Sequence, residues 1–323
     1  MGAAPARADY RFEVLVPTAM QAGDSSAAIG INNSGQVLIT TWDPTTGAND
    51  DYYVYDPGMQ RYTALPQDPD AAPGINTLYN GFNDLGQMAG FELSTTHEIP
   101  AWAATLGWQP YQSFVYSSHV DNWDNFMPAT PGAFVSEAVG INDEGVIVGI
   151  NNTGTGDQGY MLADGKLKSI DAVATPTPTG SLPTGSTTDP AGLNNMGKIV
   201  GDFYDSKTPY KQQGFVYDVH TETFSRVNYH GNLYTEFNGV NDSGQIVGFT
   251  TNDPTESTAH GLFVDVNGEM SVVDYPGAVF TSNNGISNDG QIAGEYLDSN
   301  GIWHAFVATP IRNLRTPVRD NDR

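Results

Sequence analysis

The chain has 323 residues, among them 36 glycines, 16 tyrosines and 14 phenylalanines, no cysteine, and a formal net charge of −24. That charge excludes nucleic acid and other polyanions as partners, because phosphate contacts need clustered Lys and Arg, and only seven of the 13 basic residues lie between Phe12 and Ile311. The missing cysteines exclude a disulfide framework, and no apolar stretch approaches the length that crosses a membrane.

Residues 1–9 contain Ala4-Pro5-Ala6-Arg7-Ala8, which reads as the small-residue tail of a leader and implies an exported protein, periplasmic or secreted. Residues 10–311 follow as one repetitive domain. Its first predicted strand, Tyr10 to Pro17, precedes six variants of one phrase. They are Gly30-Ile31-Asn32-Asn33-Ser34-Gly35, Gly81-Phe82-Asn83-Asp84-Leu85-Gly86, Gly140-Ile141-Asn142-Asp143-Glu144-Gly145, Gly192-Leu193-Asn194-Asn195-Met196-Gly197, Gly239-Val240-Asn241-Asp242-Ser243-Gly244 and Gly285-Ile286-Ser287-Asn288-Asp289-Gly290. The leading glycines are 51, 59, 52, 47 and 46 residues apart, the period of an architecture with one four-stranded sheet per unit.

Within each phrase, Asn-Asp-x-Gly between β-rich runs supplies a type I turn followed by a glycine able to adopt positive φ. Apolar runs such as Val146-Ile147-Val148-Gly149 and Gln245-Ile246-Val247-Gly248 then read as strands. A second hairpin follows in each unit, as in Gly261 to Val266, a turn at Asn267-Gly268, and Ser271 to Tyr275. The last unit shows only three strands, closing with His304 to Ala308, and Tyr10 to Pro17 holds the register of the missing fourth. The expected fold is therefore an all-β, six-bladed β-propeller with four antiparallel strands per blade, its last blade completed by the N-terminal strand. Residues 312–323, with Arg312, Arg315, Arg319 and Arg323, form a polar basic tail.

The units resemble the HAF-type repeats of predicted bacterial extracellular proteins, in which such a hairpin leads to a His-Ala-Phe or His-Gly-Phe segment. Here those segments are His304-Ala305-Phe306, His260-Gly261-Leu262-Phe263 and Gln213-Gly214-Phe215, while Pro100-Ala101-Trp102 and Gln158-Gly159-Tyr160 depart from the pattern. The resemblance spans residues 10 to 309 and implies an exported propeller with no assigned activity or catalytic residues.

In such blades the links from strand two to three, and from blade to blade, emerge on one face, with the Asn-Asp-x-Gly turns on the other. The unequal loops of the first face are where function is expected. Residues 110 to 136 read as one long loop carrying Tyr111, Phe114, Tyr116, His119, Asp121, Trp123, Asp124 and Phe126, either a ligand wall or an anchor to its own blade. Residues 171 to 189 read as a flexible excursion rich in Pro, Thr, Gly and Ser.

Three residues before the leading glycine stand Glu137, Asp189 and Glu236, predicted at the loop-face mouth of the axial channel, as ligands for Ca²⁺ or Mg²⁺, as proton-sharing acids, or as solvated strand ends. Asn80, Asn238 and Asn284, one residue before the glycine, add carbonyl oxygens. Asp202 and Glu295 place carboxylates at a strand-two register that is apolar in other units. His119 and His230 are the candidate acid/base histidines, whereas His260 and His304 recur in the repeat register and read as structural.

The sequence lacks a cysteine nucleophile, a Gly-x-Ser-x-Gly elbow, a phosphate-cradling loop and a His-Glu-x-x-His pair. The leading expectation is a monomer binding a neutral or cationic small molecule or glycan through Trp123, Tyr111, Tyr116 and Tyr234, with Asp121, Asp124, Asp202 and Glu295 among the rim carboxylates. Its rival is a hydrolase or lyase using Glu137, Asp189 and Glu236, with His119 or His230 moving the proton. A scaffold for protein contacts is the third reading.

Overall fold

The computed structural model describes residues 9–311, apart from 47–50, 70, 72–76, 95–100, 106–108, 128–132, 153–156, 171–186 and 205–211. The leader, most of the Pro/Thr-rich excursion, His97 and the basic tail lie outside the described residues.

Strand β1 (Tyr10–Val14) precedes β2 (Ser25–Ile31), β3 (Val37–Trp42), β4 (Asp51–Asp56) and β5 (Arg61–Ala64), which form a four-stranded sheet in that order. Next come β6 (Leu78–Phe82), β7 (Gln87–Leu93), helix α1 (Ala101–Thr105), β8 (Tyr111–Ser117) and β9 (Asn122–Phe126). They are followed by β10 (Val135–Ile141), β11 (Ile147–Asn152), β12 (Asp157–Ala163) and β13 (Lys166–Ile170). A single parallel bridge, Val135 to Tyr111, joins these two groups into one eight-stranded sheet. The second eight-stranded sheet contains β14 (Thr187–Leu193), β15 (Lys198–Tyr204), β16 (Gln212–Asp218) and β17 (Thr223–Val227), bridged from Gln212 to Tyr234 onto β18 (Tyr234–Val240), β19 (Ile246–Thr251), β20 (His260–Val264) and β21 (Met270–Val272). The last sheet holds β22 (Phe280–Ile286), β23 (Ile292–Leu297) and β24 (Trp303–Pro310), with β1 outermost, paired from Tyr10↔Pro310 to Val14↔Phe306.

The sheets surround a common axis lined by β2, β6, β10, β14, β18 and β22. Each of these strands carries a register shift just before its leading glycine, at Ile29, Asn80, Val139, Ala191, Asn238 and Asn284, and all six residues line a cavity of about 100 Å³ on the axis. The leading glycines are therefore packing residues as well as turn residues. A Cβ on Gly192 would stand 3.0 Å from the Gly239 Cα, and one on Gly285 would stand 3.0 Å from the Gly30 Cα, so the inner strands meet backbone to backbone.

The turns knit the same ring by side chains. Asn194 Oδ1 accepts the amides of Met196 and Lys198, and its Nδ2 donates to the Asn241 carbonyl of the next unit at 2.8 Å. One residue on, the amide of Asn33 donates to Asp84, Asp84 to Asp143, Asp143 to Asn195, Asn195 to Asp242, Asp242 to Asn288, and Asn288 back to Asn33. These contacts close a circuit from the first phrase to the last. The first and last sheets are also tied by the Ala305 amide donating to Ser26 Oγ at 2.9 Å. Apolar clusters fill the space between neighbouring sheets, such as Val148, Ile199, Phe203 and Phe215.

One expectation is overturned here. Residues 111–126 are not a loop but the β8/β9 hairpin, with Phe114 opposite Gly90 as Phe215 is opposite Gly201. Pro100-Ala101-Trp102 is correspondingly not the third strand of its unit, because Ala101 begins α1. The absence of a His-x-Phe phrase in this unit concealed a strand whose Phe114 and Tyr116 are buried.

Candidate functional site

Glu137, Asp189 and Glu236 project from β10, β14 and β18, facing Ile150, Asp202 and Phe249 across their ladders. The Asp189–Asp202 pair links two sequence signals that looked separate. Like charges directly opposite on a sheet repel, and here water is largely removed as well. Burial, reinforced by Asp157 and Asp189, pushes Glu137 up to about 7. Burial pushes Asp189 up to about 7 despite a hydrogen bond with Thr187, and Glu236 up to about 8 with Glu256 and Asp189 adding to the effect. Asp202, 7% exposed, is held well above the usual carboxylate range by burial and then by Glu236 and Asp189.

The resulting row runs Asp157, Glu137, Asp189, Asp202, Glu236, Glu256, and every charge acting on its four raised members from the described residues is another carboxylate. Among the described residues, Asp189 Oδ1 is buried without a hydrogen-bond partner. Gln212, at the start of β16, donates its Nε2 to Asp202 Oδ2 and bridges to Tyr234, two residues from Glu236 on the same strand. Sequence reasoning missed Gln212; the only signal was its place just ahead of the Gln213-Gly214-Phe215 segment.

Glu295 lies apart from this row. It faces Ser282 on the last sheet, and burial raises it to about 7 while a hydrogen bond with Asn284 opposes the shift. Asn238 Nδ2 donates to Ser282 Oγ at 3.2 Å and to Asn284 Oδ1 at 3.3 Å, so two of the three asparagines singled out from the sequence tie these neighbouring inner strands together. Below this level, Ile31, Phe82, Ile141, Leu193, Val240 and Ile286 line both the axial cavity of about 100 Å³ and a second one of about 70 Å³ among the turns. An apolar collar thus separates the two cavities. Among the described residues no three His, Asp or Glu side chains converge closely enough to hold a metal ion. Asp189 acts electrostatically on both Glu137 and Glu236.

The predicted aromatic wall is dispersed. Trp123 stands opposite Tyr116 with ring centroids 4.6 Å apart, and packs on Phe114 and Tyr79 in the cluster between the first two units. Asp121 occupies the β8/β9 turn with φ 51° and accepts the Tyr116 hydroxyl at 3.1 Å, while Asp124 is exposed on β9. His119 lies in the same turn, where its Nε2 would be 3.2 Å from a Cβ on Gly86, so it belongs to the turn face with the Asn-Asp-x-Gly phrases. Hairpin geometry places these five residues away from the acidic row. Tyr111 remains on the loop-face side, edge-on to Phe91 with centroids 5.5 Å apart.

His230 is exposed in the connection from β17 to β18, with φ 47° and its ring 4.4 Å from that of Tyr229. His260 Nδ1 lies 2.8 Å from Asp274 Oδ2, and His304 Nε2 lies 3.2 Å from Asp298 Oδ2, contacts in keeping with a structural role. No helix among the described residues is long and apolar enough to cross a membrane.

A family model described as "Protein of unknown function (DUF3466)" matches residues 111–297. No curated protein matches the sequence. Among solved structures the chain is similar to a putative TolB from Agrobacterium tumefaciens, with TM-score 0.54 and 13% identity over 88% of this chain and 91% of that one. It is also similar to an oligogalacturonate lyase from Vibrio parahaemolyticus, with TM-score 0.51 and 9% identity over 94% and 98% of the two chains. A putative gluconolactonase gives TM-score 0.50 and 11% identity over 95% and 93%. At such identities the likeness is one of fold, and that fold is a β-propeller.

Proposed function

The chain belongs to this family of proteins of unknown function, and we propose that it is a binding protein that takes a neutral or cationic small molecule at the loop-face mouth of its axial channel. The observation that carries the reading is the row Glu137, Asp189, Asp202 and Glu236, largely shielded from water on the inner strands β10, β14 and β18 and on β15, where the only charges acting on it from the described residues are other carboxylates. Carboxyl groups raised to about 7 or 8 offer both O–H donors and acceptors to a polyhydroxylated ligand near neutral pH. Once ionised, they attract an ammonium group. Tyr111 and Tyr234 are the aromatic residues retained from the sequence reading. Six blades of four strands, the last completed by β1, belong to the same proposal, supported by the circuit of turn hydrogen bonds from Asn33 back to Asn33.

A second reading is an acid/base hydrolase or lyase. It is favoured by the Asp189–Asp202 pair, which can hold and release one proton near neutral pH.

The test is calorimetric titration of the protein at pH 6 and pH 8 with putrescine and, separately, with cellobiose. Saturable binding of either probe that is lost in the Asp202→Asn/Glu236→Gln double variant supports the site. Binding of neither probe, or binding that survives the double variant, overturns it.

A further inference from the structure

One polar pair recurs at the turn end of the second and third strands of the units. Gln36 Nε2 donates to Asp56 Oδ2 at 3.1 Å, Gln87 lies opposite Ser117, Lys198 is paired with Asp218, and Gln291 Nε2 donates to Thr309 Oγ1 at 3.4 Å. Gln245 and Asp265 hold the same two positions, one step beyond Ile246↔Val264. On β11 and β12 the positions one step beyond Ile147↔Leu162 carry Val146 and Ala163 instead. Two small apolar side chains thus replace a polar pair, and a cavity of about 140 Å³ opens there between β11/β12 and β15/β16.

Its walls are the facing sides of two neighbouring sheets. Strand alternation puts Val146 on the side of Val148, with Met161 and Ala163 beside them, and Val148 and Met161 belong to the cluster that packs against Ile199. Leu193, Ile199 and Val219 supply the opposite wall. Lys198, next to Ile199 on β15, turns to the other side of its sheet, where Asp218 neutralises it, while Glu144 and His220 are exposed. Apolar cavities on the order of 150 Å³ accept one benzene-sized ring.

The change from glutamine to valine also alters the hydrogen bonding of the turn. Asn32, Asn83 and Asn241 each donate Nδ2 to the glutamine of their own turn, at 2.8 to 3.0 Å, and also to a carbonyl of the next turn. Asn142, 7% exposed and lining the cavity, donates Nδ2 to the Asn194 carbonyl at 3.2 Å, and its second N–H has no acceptor among the described residues. Its Oδ1 is taken by the amides of Glu144 and Val146. A buried donor without an acceptor is costly, so the lining calls for an apolar body bearing one acceptor oxygen, the part that Gln87 and Gln245 play in their own turns. The net charge of −24 favours a neutral oxygen over a carboxylate.

We infer that this cavity binds a small neutral carbonyl compound about the size of one ring, its oxygen accepting the second Asn142 N–H and its apolar body seated among Val146, Met161, Leu193 and Ile199. The cavity lies among the turns, shares no residue with the carboxylate row, and is filled whether or not that row binds anything.

The experiment is an NMR titration of protein labelled at its methionine methyls, with acetophenone and with the hydrocarbon ethylbenzene. The Met161 signal, assigned by its loss in Met161→Leu, reports occupancy of the cavity that this side chain lines. Val146→Gln restores the residue that four other units carry at this position, so it fills the cavity and takes up the Asn142 N–H. Ala163→Leu fills it from the facing strand and keeps a folded protein available should Val146→Gln fail to fold. The expected result is a saturable Met161 shift with acetophenone, no tighter binding of ethylbenzene although it is the more apolar, and at least tenfold weaker acetophenone binding in both variants. Absence of a saturable Met161 shift, tighter binding of the hydrocarbon, or undiminished binding in the variants that fold overturns the inference, the second of these by showing a purely apolar cleft.

Discussion

Asp189 on β14 and Asp202 on β15 face each other as direct partners in one antiparallel ladder, so two carboxyl groups share a single cross-strand position. Burial raises both, Asp189 to about 7 against the usual 3.8. Because the folded state binds these protons more tightly than the unfolded chain, their stabilising contribution is complete below about pH 4 and is lost as pH rises through 7. Asp43, Asp218 and Asp253 are held well below the usual carboxylate range by hydrogen bonds, so they stay ionised throughout a scan from pH 5 to 8.5. The melting temperature should fall across that scan. Asp189→Asn should stabilise the protein by on the order of 1–2 kcal/mol at pH 8.5 and by clearly less at pH 5. Equal effects at the two pH values in urea melts would refute the shared-proton description.

The turn circuit makes Asn194 more than a turn former. Replacing it by Ala removes the acceptor for two amides of its own turn and the donor to the Asn241 carbonyl, at a cost of about 2–4 kcal/mol in urea unfolding. Asn194→Ser should cost less, because Ser287 fills the equivalent position in the last phrase and its Oγ accepts the Gln291 amide at 3.1 Å.

Glycine at the leading position is demanded by neighbours rather than by the local chain. A Cβ on Gly192 would meet the Asn238 carbonyl oxygen at 2.7 Å, whereas one on Gly30 meets nothing within 4 Å. Gly192→Ala should destabilise by about 1–3 kcal/mol through forced separation of two inner strands. Gly30→Ala, read in the same chemical melts, should lie near wild type.

Trp123 is a packing residue of the first inter-sheet cluster, touching Tyr79, Phe114 and Tyr116. Trp123→Ala should cost about 2–4 kcal/mol of stability. Putrescine or cellobiose affinity at the channel mouth, measured by titration below the melting range, should be unchanged. A selective loss of ligand binding with stability intact would return Trp123 to the binding surface.

Local chemistry was legible without coordinates wherever one residue type answers one backbone demand. The Asn-Asp-x-Gly phrases form turns whose Gly35, Gly86, Gly145, Gly197, Gly244 and Gly290 all have positive φ, and the missing strand of the last unit was found in Tyr10 to Val14. The same repetition misled where it lapsed. Without a His-x-Phe phrase, β8 and β9 passed for a loop, and Tyr116 and Trp123 were assigned to a ligand when they pair with each other.

The sequence by itself determined the period, the turns, the inner-strand acids and the closure by β1, because these depend on residue type and on separation along the chain. Only the tertiary structure decided that Asp189 meets Asp202 and that Gln212 reaches the latter. Strand register and burial bring together groups that no spacing connects, and the removal of water is what turns an ordinary carboxylate into one that holds its proton near neutral pH.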